Sequence, residues 1–320
     1  MRTPSPVRLA AALALFALSP ARASDPLTDA MMPLDPKASI TFGVSQPNGP
    51  GRAAEAKAAL EPYLSEAMHR PVKVVVLASY EDLAQALAAG KVDLAWAEPV
   101  AFVVAQQKNH DVQAIAKALR HGKLFYRAAI FVRADSPAQA LADLRGKSFA
   151  WVSKTSASGY LFPRALLISQ GIDPDAAFRS QSFAGDHPRD CEAVRQRKAD
   201  AGATFSDERP RGEKPLADGC AESPPVSDFR VLAVSAPIPN DVIAARPSFD
   251  ERVAESTLQV FAQMSQTEAG RKVLHDVFRV DGWGLAVAGD FAAVAEAMKV
   301  ASAKVAPGKG AAKKPAKSAK

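Results

Sequence analysis

From Ser39 onward the chain alternates short apolar runs with segments whose apolar residues recur at helical spacing, and it does so twice. In the first set, the strand-like "SITFGVS" stops at the breakers "QPNGPG". "RAAEAKAALEPYLSEAMHR" follows as a helix interrupted by one proline, then the β-branched strand "PVKVVVLA". "SYEDLAQALAAGK" reads as a helix capped by Ser79 and stopped at Gly90. The strand "VDLAWA", the helix "EPVAFVVAQQ" and two strand-like runs, "VQAIAKAL" and "FYRAAIFVR", complete the set. The second set reads "SPAQALADLRG" (helix), "KSFAWV" (strand), "SGYLFPRALLISQ" (helix), "FRSQSFA" (strand), "HPRDCEAVRQRK" (helix) and "ADAGATF" (strand). Residues 208–227 read as a surface loop, "DFRVLAVS" and "DVIAAR" as strands, and 249–265, 267–277 and 288–304 as closing helices. Strands alternating with helices predict an α/β fold with parallel sheets. Two sets with late segments returning predict two lobes rather than one long sheet.

The two ends of the chain stand apart. Arg2 and Arg8 precede the apolar run "LAAALALFAL", and "ARA" (Ala21 to Ala23) supplies a small-x-small cleavage site, so residues 1–23 read as an export signal. No later run reaches the about 18 apolar residues of a membrane span. The mature protein is expected to be exported and soluble. The last fourteen residues, 307–320, contain only Ala, Lys, Pro, Gly and Ser and are expected to be disordered. Removing the three arginines of the signal and the five lysines of the tail takes the formal +6 to −2, so no nucleic-acid face is expected. Cys191 and Cys220 are the two cysteines, and in an exported protein one pair is most simply a disulfide. It would close a loop of about 30 residues and contribute roughly 3 to 4 kcal/mol in the chain-entropy picture.

The stretch "FAWVSKTSASGYLFPRALL" places Ser153, Thr155, Ser156, Ser158 and Gly159 where a strand hands over to a helix. In open α/β sheets, ligands bind at the carboxyl ends of strands. Unpaired N–H groups and the helix dipole there attract an anion. Small hydroxyls add donors, and Gly159 is expected to admit the ligand. A serine-rich N-cap without a ligand is the other reading of this stretch.

Taken in order, "VDLAWAEPVAF", "IFVRADSPAQALADLRGKSFAW", "SASGYLFPRALL", "FAGDH", "ADAGATFSD" and "APIPNDVIAAR" resemble the phosphonate/phosphite/phosphate-binding periplasmic proteins of ABC importers, over roughly Ile40 to Gly282. The resemblance implies a type II periplasmic binding fold, in which two α/β lobes joined by two crossovers close on a ligand. It implies lobe limits of 39–130 with 236–304, and 131–235. It also implies a Ser-Thr-Ser-Gly oxyanion cradle, which Ser156, Ala157, Ser158 and Gly159 resemble here, with Thr155 compensating for the missing middle hydroxyl. By the same likeness Tyr80, Tyr126, His187, Asp207 and Asp241 are ligand residues, although Asp186 is inserted before His187 and Val242 replaces a proline. The acids would accept from a ligand ammonium or a protonated phosphonate oxygen. Implied partners are a small oxyanion and the importer's membrane subunits; a monomer is expected, without metal or cofactor.

One departure concerns Ala97 and Glu98, where the family often has an aromatic or a glycine pair. A carboxylate there would weaken a dianion. The expectation is that Glu98 points away as a first-turn helix residue; otherwise the ligand carries a compensating amine or differs from phosphonates. Trp96 and Trp151 are expected in the core. Rival functions are a ferric-ion binder using Tyr63, Tyr80, Tyr126 or Tyr160, an anion receptor feeding a sensor, and a hydrolase using Ser156 or Ser158 with His187.

Overall fold

The apolar run at Ile40 becomes the strand beside which the first sheet grows. The computed structural model describes residues 39–45, 50–209, 212–221, 225–287 and 289–303; the expected signal and tail lie outside them. β1 (Ile40–Ser45) leads to α1 (Pro50–Ala67), β2 (Val72–Leu77), α2 (Tyr80–Ala88), β3 (Leu94–Ala97), α3 (Pro99–Lys108) and β4 (Gln113–Leu119). A first crossover enters β5 (Phe125–Arg133), then β6 (Ser148–Trp151), a π-turn (Ala157–Leu161), α4 (Phe162–Ser169) and the single turn α5 (Pro174–Ala177). β7 (Ser180–Phe183), α6 (His187–Arg195), β8 (Ala201–Asp207) and β9 (Phe229–Val234) follow. The chain returns through β10 (Ile238–Pro239) to β11 (Val242–Ala245), α7 (Glu251–Gln263), α8 (Glu268–Val273), β12 (Gly282–Leu285) and α9 (Ala292–Ser302).

These strands form two sheets, ordered β12-β4-β11-β3-β1-β2 and β10-β5-β8-β6-β7, with β9 also pairing β5. β1 runs parallel to β2 and β3, and β6 parallel to β7 and β8. The returning β11 is antiparallel to β3 and β4, and all four of its residues are buried. One face of the first sheet packs Phe42, Phe261, Phe278 and Trp283 into an aromatic cluster. The other face joins α2, α3 and α9 to Leu161 and Phe162 of the second set, so one apolar core runs beneath both sheets. Arg164 on α4 fastens that junction by donating to Ala301 O at 2.9 Å.

The two crossovers are tied together. Asn240 is 1% exposed. Its side-chain amide donates to Ala118 O (3.0 Å) and Lys123 O (2.9 Å), and its backbone N–H to Leu124 O (3.1 Å). The second sheet takes up β5 from Phe125 and β10 through Pro239. β5 and β10 thus belong to the second sheet and β11 to the first.

Three local expectations change. "SPAQALADLRG" forms only a 3-10 turn, Leu141–Leu144. Asp143 accepts from the N–H groups of Gln139 (2.8 Å) and Ala140 (3.0 Å), and such side-chain bonds compete with a helix ladder. α1 runs unbroken through Pro62, because Leu60 and Leu64 on either side are fully buried. The short β12 was not apparent as a strand in the sequence.

Cys191 on α6 and Cys220 in the 3-10 turn Asp218–Cys220 are bonded, and both are buried. The bond pins Ala217 and the Asp218–Cys220 turn against an apolar cluster that includes Phe131, Val194 and Phe229. Protein recovered from an oxidising compartment should show no free thiol by mass spectrometry. The Cys191→Ser/Cys220→Ser variant should lose about 3 kcal/mol of stability in urea titration; an unchanged midpoint would show that the bridge constrains nothing.

Candidate functional site

Four helical segments begin at one cavity of about 450 Å3. α2 begins at Tyr80, α3 at Pro99, the π-turn before α4 at Ala157 and α6 at His187, and all four residues line it. Helix amino ends carry unpaired N–H groups and partial positive charge, so their convergence suits an anion. The caps are local: Ser79 Oγ accepts from Asp82 N (3.1 Å), Ser156 Oγ from Gly159 N (3.0 Å) and Asp186 Oδ1 from Arg189 N (2.8 Å). Glu98 occupies the cap position of α3 but makes no side-chain cap bond.

The hydroxyl stretch forms one wall. Ser153, Thr155, Ser156 and Ser158 line the cavity, and Ser153 Oγ lies 3.4 Å from Thr155 Oγ1. Ser156 spends its oxygen on the cap, which leaves its proton for donation. Ser158 is buried and its hydroxyl meets the Tyr126 phenol. Gly159 serves packing rather than ligand access: a Cβ there would sit 2.4 Å from Val152 Cβ. Pro99, Val100, Ala101 and Val104 give the opposite side an apolar lining.

Among the expected residues, Tyr80, Tyr126, Thr155, Ser156, Ser158, His187 and Asp241 come together here. Asp207 lies in an adjoining recess that shares Tyr126, Ser158, His187 and Asp241 with this cavity. It pairs across β5 and β8 with Tyr126 and lines that recess with Arg120, His121 and Asp218. Its Oδ2 lies 3.2 Å from His121 Nε2. Asp241 accepts from Arg120 at 3.1 Å. Trp151 is fully buried and donates to Gln181 Oε1 (2.8 Å), and Trp96 packs edge-on against Phe278, so both belong to the core.

Glu98 departs from its expectation: it lines the cavity rather than pointing away. The register Val242↔Ala97 between β11 and β3 brings Asp241 beside Glu98 at the sheet's edge. Its Oε1 accepts from Ser45 Oγ at 3.5 Å, and its Oε2 is buried without a hydrogen-bond partner. Burial holds the carboxyl well above the usual range and Asp241 adds to this, while the hydroxyls of Tyr80 and Ser45 pull the other way. The Tyr80 phenol is raised by burial and then by Glu98 and Asp241; the Tyr126 phenol is raised by burial and then by Asp241.

His187 shares a 2.8 Å hydrogen bond between Nδ1 and Thr204 Oγ1 and stands edge-on to Phe205. Burial pushes its imidazole down to about 4, against a weak opposing pull from Asp186. Gly219, beside Cys220, packs so closely on Thr204 that a Cβ there would lie 2.0 Å from Oγ1. The disulfide-bearing turn thus holds the group that orients His187. Thr204 is the position beside the site that sequence reasoning missed, whereas Glu98 was singled out there but expected to point away.

Two pH effects of opposite sign follow. His187 stays neutral while the unfolded chain takes up a proton below about 6.5. Stability is therefore full above that pH and is lost as pH falls towards about 4. His187→Gln should flatten this acid limb in calorimetric melts. Glu98 keeps a proton that the unfolded chain releases, so its contribution declines as pH rises above about 4.3. Glu98→Gln should raise the melting point of the empty protein at pH 7 to 8 and leave it unchanged near pH 3.5; equal shifts at both would remove the buried-carboxyl account.

With this geometry established, the chain can be set beside known proteins. The family described as "ABC transporter, phosphonate, periplasmic substrate-binding protein" matches residues 42–299. The phosphate-import protein PhnD of Mycolicibacterium smegmatis is 29% identical over 202 residues, 60% of this chain and 61% of that one. The match thus spans less than two thirds of that relative. XAC2383 from Xanthomonas citri, solved with chloride ion, superposes with a TM-score of 0.67 at 22% identity, covering 82% of this chain and 97% of that one. PhnD1 from Prochlorococcus marinus, solved with methylphosphonate, gives 0.63 at 17% identity, covering 83% and 98%. At such identities the two structures establish the fold, two α/β lobes of the type II periplasmic binding kind. The chain belongs to the phosphonate periplasmic substrate-binding protein family of ABC transporters.

Proposed function

We propose that this protein is the exported solute receptor of an ABC importer, a monomer that captures a phosphonate, phosphite, phosphate or similar compact oxyanion by closing its lobes on it. The observation that carries this reading is the meeting of four helix amino ends and a row of hydroxyls in one cavity. No lysine or arginine is among the described residues lining it. Neutral donors, namely backbone N–H groups, Thr155, Ser156, Ser158 and a phenol, would satisfy the oxyanion. Methylphosphonate in the Prochlorococcus relative and the name of the mycobacterial one lend support to this ligand class.

The rival chemistries fit less well. Serine attack needs a positioned base, and Ser158 instead meets a phenol held protonated. Ferric tyrosinate ligation needs phenols that ionise readily, whereas burial and acids hold Tyr80 and Tyr126 neutral. Adding ferric ion should therefore produce no visible charge-transfer band.

A ligand that touches Tyr80 and Asp241 on one side and Ser158 and His187 on the other has more contacts in a closed form than in an open one. Only such differential affinity shifts the equilibrium. Solution scattering should show a smaller radius of gyration at saturating methylphosphonate or phosphate. Ser158→Ala should weaken binding roughly ten- to a hundredfold, the size of one hydrogen bond to a charge. Tyr80→Ala should weaken binding and compaction together, whereas Tyr63→Ala, on α1 against the first core, should weaken neither. A profile unmoved by a ligand that calorimetry shows to be bound would end the closure mechanism.

A further inference from the structure

His187 lines the cavity with one ring nitrogen already engaged: Nδ1 lies 2.8 Å from Thr204 Oγ1. Thr204 is fully buried, and its hydroxyl makes no other hydrogen bond among the described residues. The backbone of Gly219 closes the hydroxyl's far side, where an added Cβ would lie 2.0 Å from Oγ1. Three ties hold the turn that carries Gly219. Cys220 is bonded to Cys191 on α6, Asp218 accepts from Asp207 N at 2.8 Å, and Arg209 pairs with Asp218. Phe205 stands edge-on to the imidazole at 5.2 Å and limits its rotation. Nε2, the ring's other nitrogen, has no protein partner among the described residues.

A neutral imidazole has one donor nitrogen and one acceptor, whereas a hydroxyl is both. If Nδ1–H donated to Thr204, the hydroxyl proton would be buried with no acceptor, which costs free energy. If the hydroxyl donates to Nδ1, its proton is satisfied and the ring proton stands on Nε2. We propose that Thr204, braced by the disulfide-bearing turn, is a positioning residue that donates to His187 Nδ1 and so commits His187 to present Nε2–H to an ionised oxygen of the ligand. The inference rests on the oxyanion reading above and deepens it. A contact of this kind offers nothing to a P–OH group. It matches Ser156, whose oxygen is taken by Gly159 N and which has only its proton to give. The turn Asp218–Cys220 thereby acts on the ligand without touching it, through Thr204 and then the ring.

NMR of isotope-labelled imidazole nitrogens at pH 7, with calorimetry using methylphosphonate and inorganic phosphate, tests this. In the wild type the His187 proton should sit on Nε2, and Nδ1 should show the shift of a hydrogen-bond acceptor. Saturating methylphosphonate should move the Nε2–H signal and leave Nδ1 in place. Thr204→Val keeps the side chain's shape and removes the donor. It should move Nδ1 towards a free ring nitrogen and weaken methylphosphonate at least about tenfold. Thr204→Ser should restore the Nδ1 signal and bring affinity to within about threefold of the wild type. Gly219→Ala, which alters neither partner of the bond, should reproduce the Thr204→Val signal by displacing the hydroxyl. A wild-type proton on Nδ1, wild-type affinity in Thr204→Val, a Thr204→Ser as weak as the valine variant, or an unmoved Nδ1 in Gly219→Ala would overturn the assignment and leave the oxyanion reading standing. Failure of both methylphosphonate and inorganic phosphate to bind the wild type would overturn the oxyanion reading and this inference together.

Discussion

The cavity is organised around Asn240, which ties the two crossovers into one joint. A single buried amide bonds the end of the first sheet, at Ala118, and the start of the first crossover, at Lys123. Its neighbour Asp241 continues the tie, accepting from Ala118 N at 2.8 Å. That fixes where β11 enters the first sheet, and the register of β11 on β3 then fixes which side chains stand at the sheet's edge. Tyr126 and Asp241 face the cavity from opposite strands of this joint. A site assembled from two lobes needs such a common reference, because side chains must be held within fractions of an ångström to share one small ligand.

The electrostatics around the joint divide the cavity. Helix amino ends and hydroxyls supply donors without net charge, which stabilise an anion and impose no competing salt bridges. Of the acids lining it, Glu98 and Asp241 stand where β3 ends and β11 begins, Glu81 lies on α2 and Asp186 caps α6. Had the cavity been lined with lysine or arginine, Glu98 would have found an internal partner and its burial would be unremarkable. Its Oε2 instead lies buried without a hydrogen-bond partner in the cavity that Asp241 also lines.

The parts of this arrangement written in local pattern were legible in the sequence. Strand–helix alternation gave two sheets, and the hydroxyls after "FAW" marked the helix start where donors gather. The residues that could not be read are those whose roles depend on partners far along the chain. Glu98 looks like an ordinary helix-start acid until β11 returns beside β3. Asp207 ends β8 far along the chain from His121 of the first crossover, yet its carboxylate meets that imidazole at 3.2 Å. Thr204 looks like one more strand residue until Gly219 presses on it and His187 bonds it. The false helix at "SPAQALADLRG" failed for a local reason, a carboxylate that bonds the backbone more readily than the helix ladder does.

The same joint limits how the lobes can move. α9 follows β12 of the first sheet, yet its residues Val294, Ala297 and Ala301 pack in the core that also holds Leu161 and Phe162 of the second set. Arg164 bonds its last turn at Ala301 O and is itself held by Asp175 through two hydrogen bonds. Packed cores and buried ion pairs do not stretch continuously. Closure that kept α9 on α4 would have to be a rotation about an axis passing near both Asn240 and this helix. Such a rotation would leave the Asn240 bonds and the α9–α4 packing in place while the parts of the molecule farthest from the axis move most.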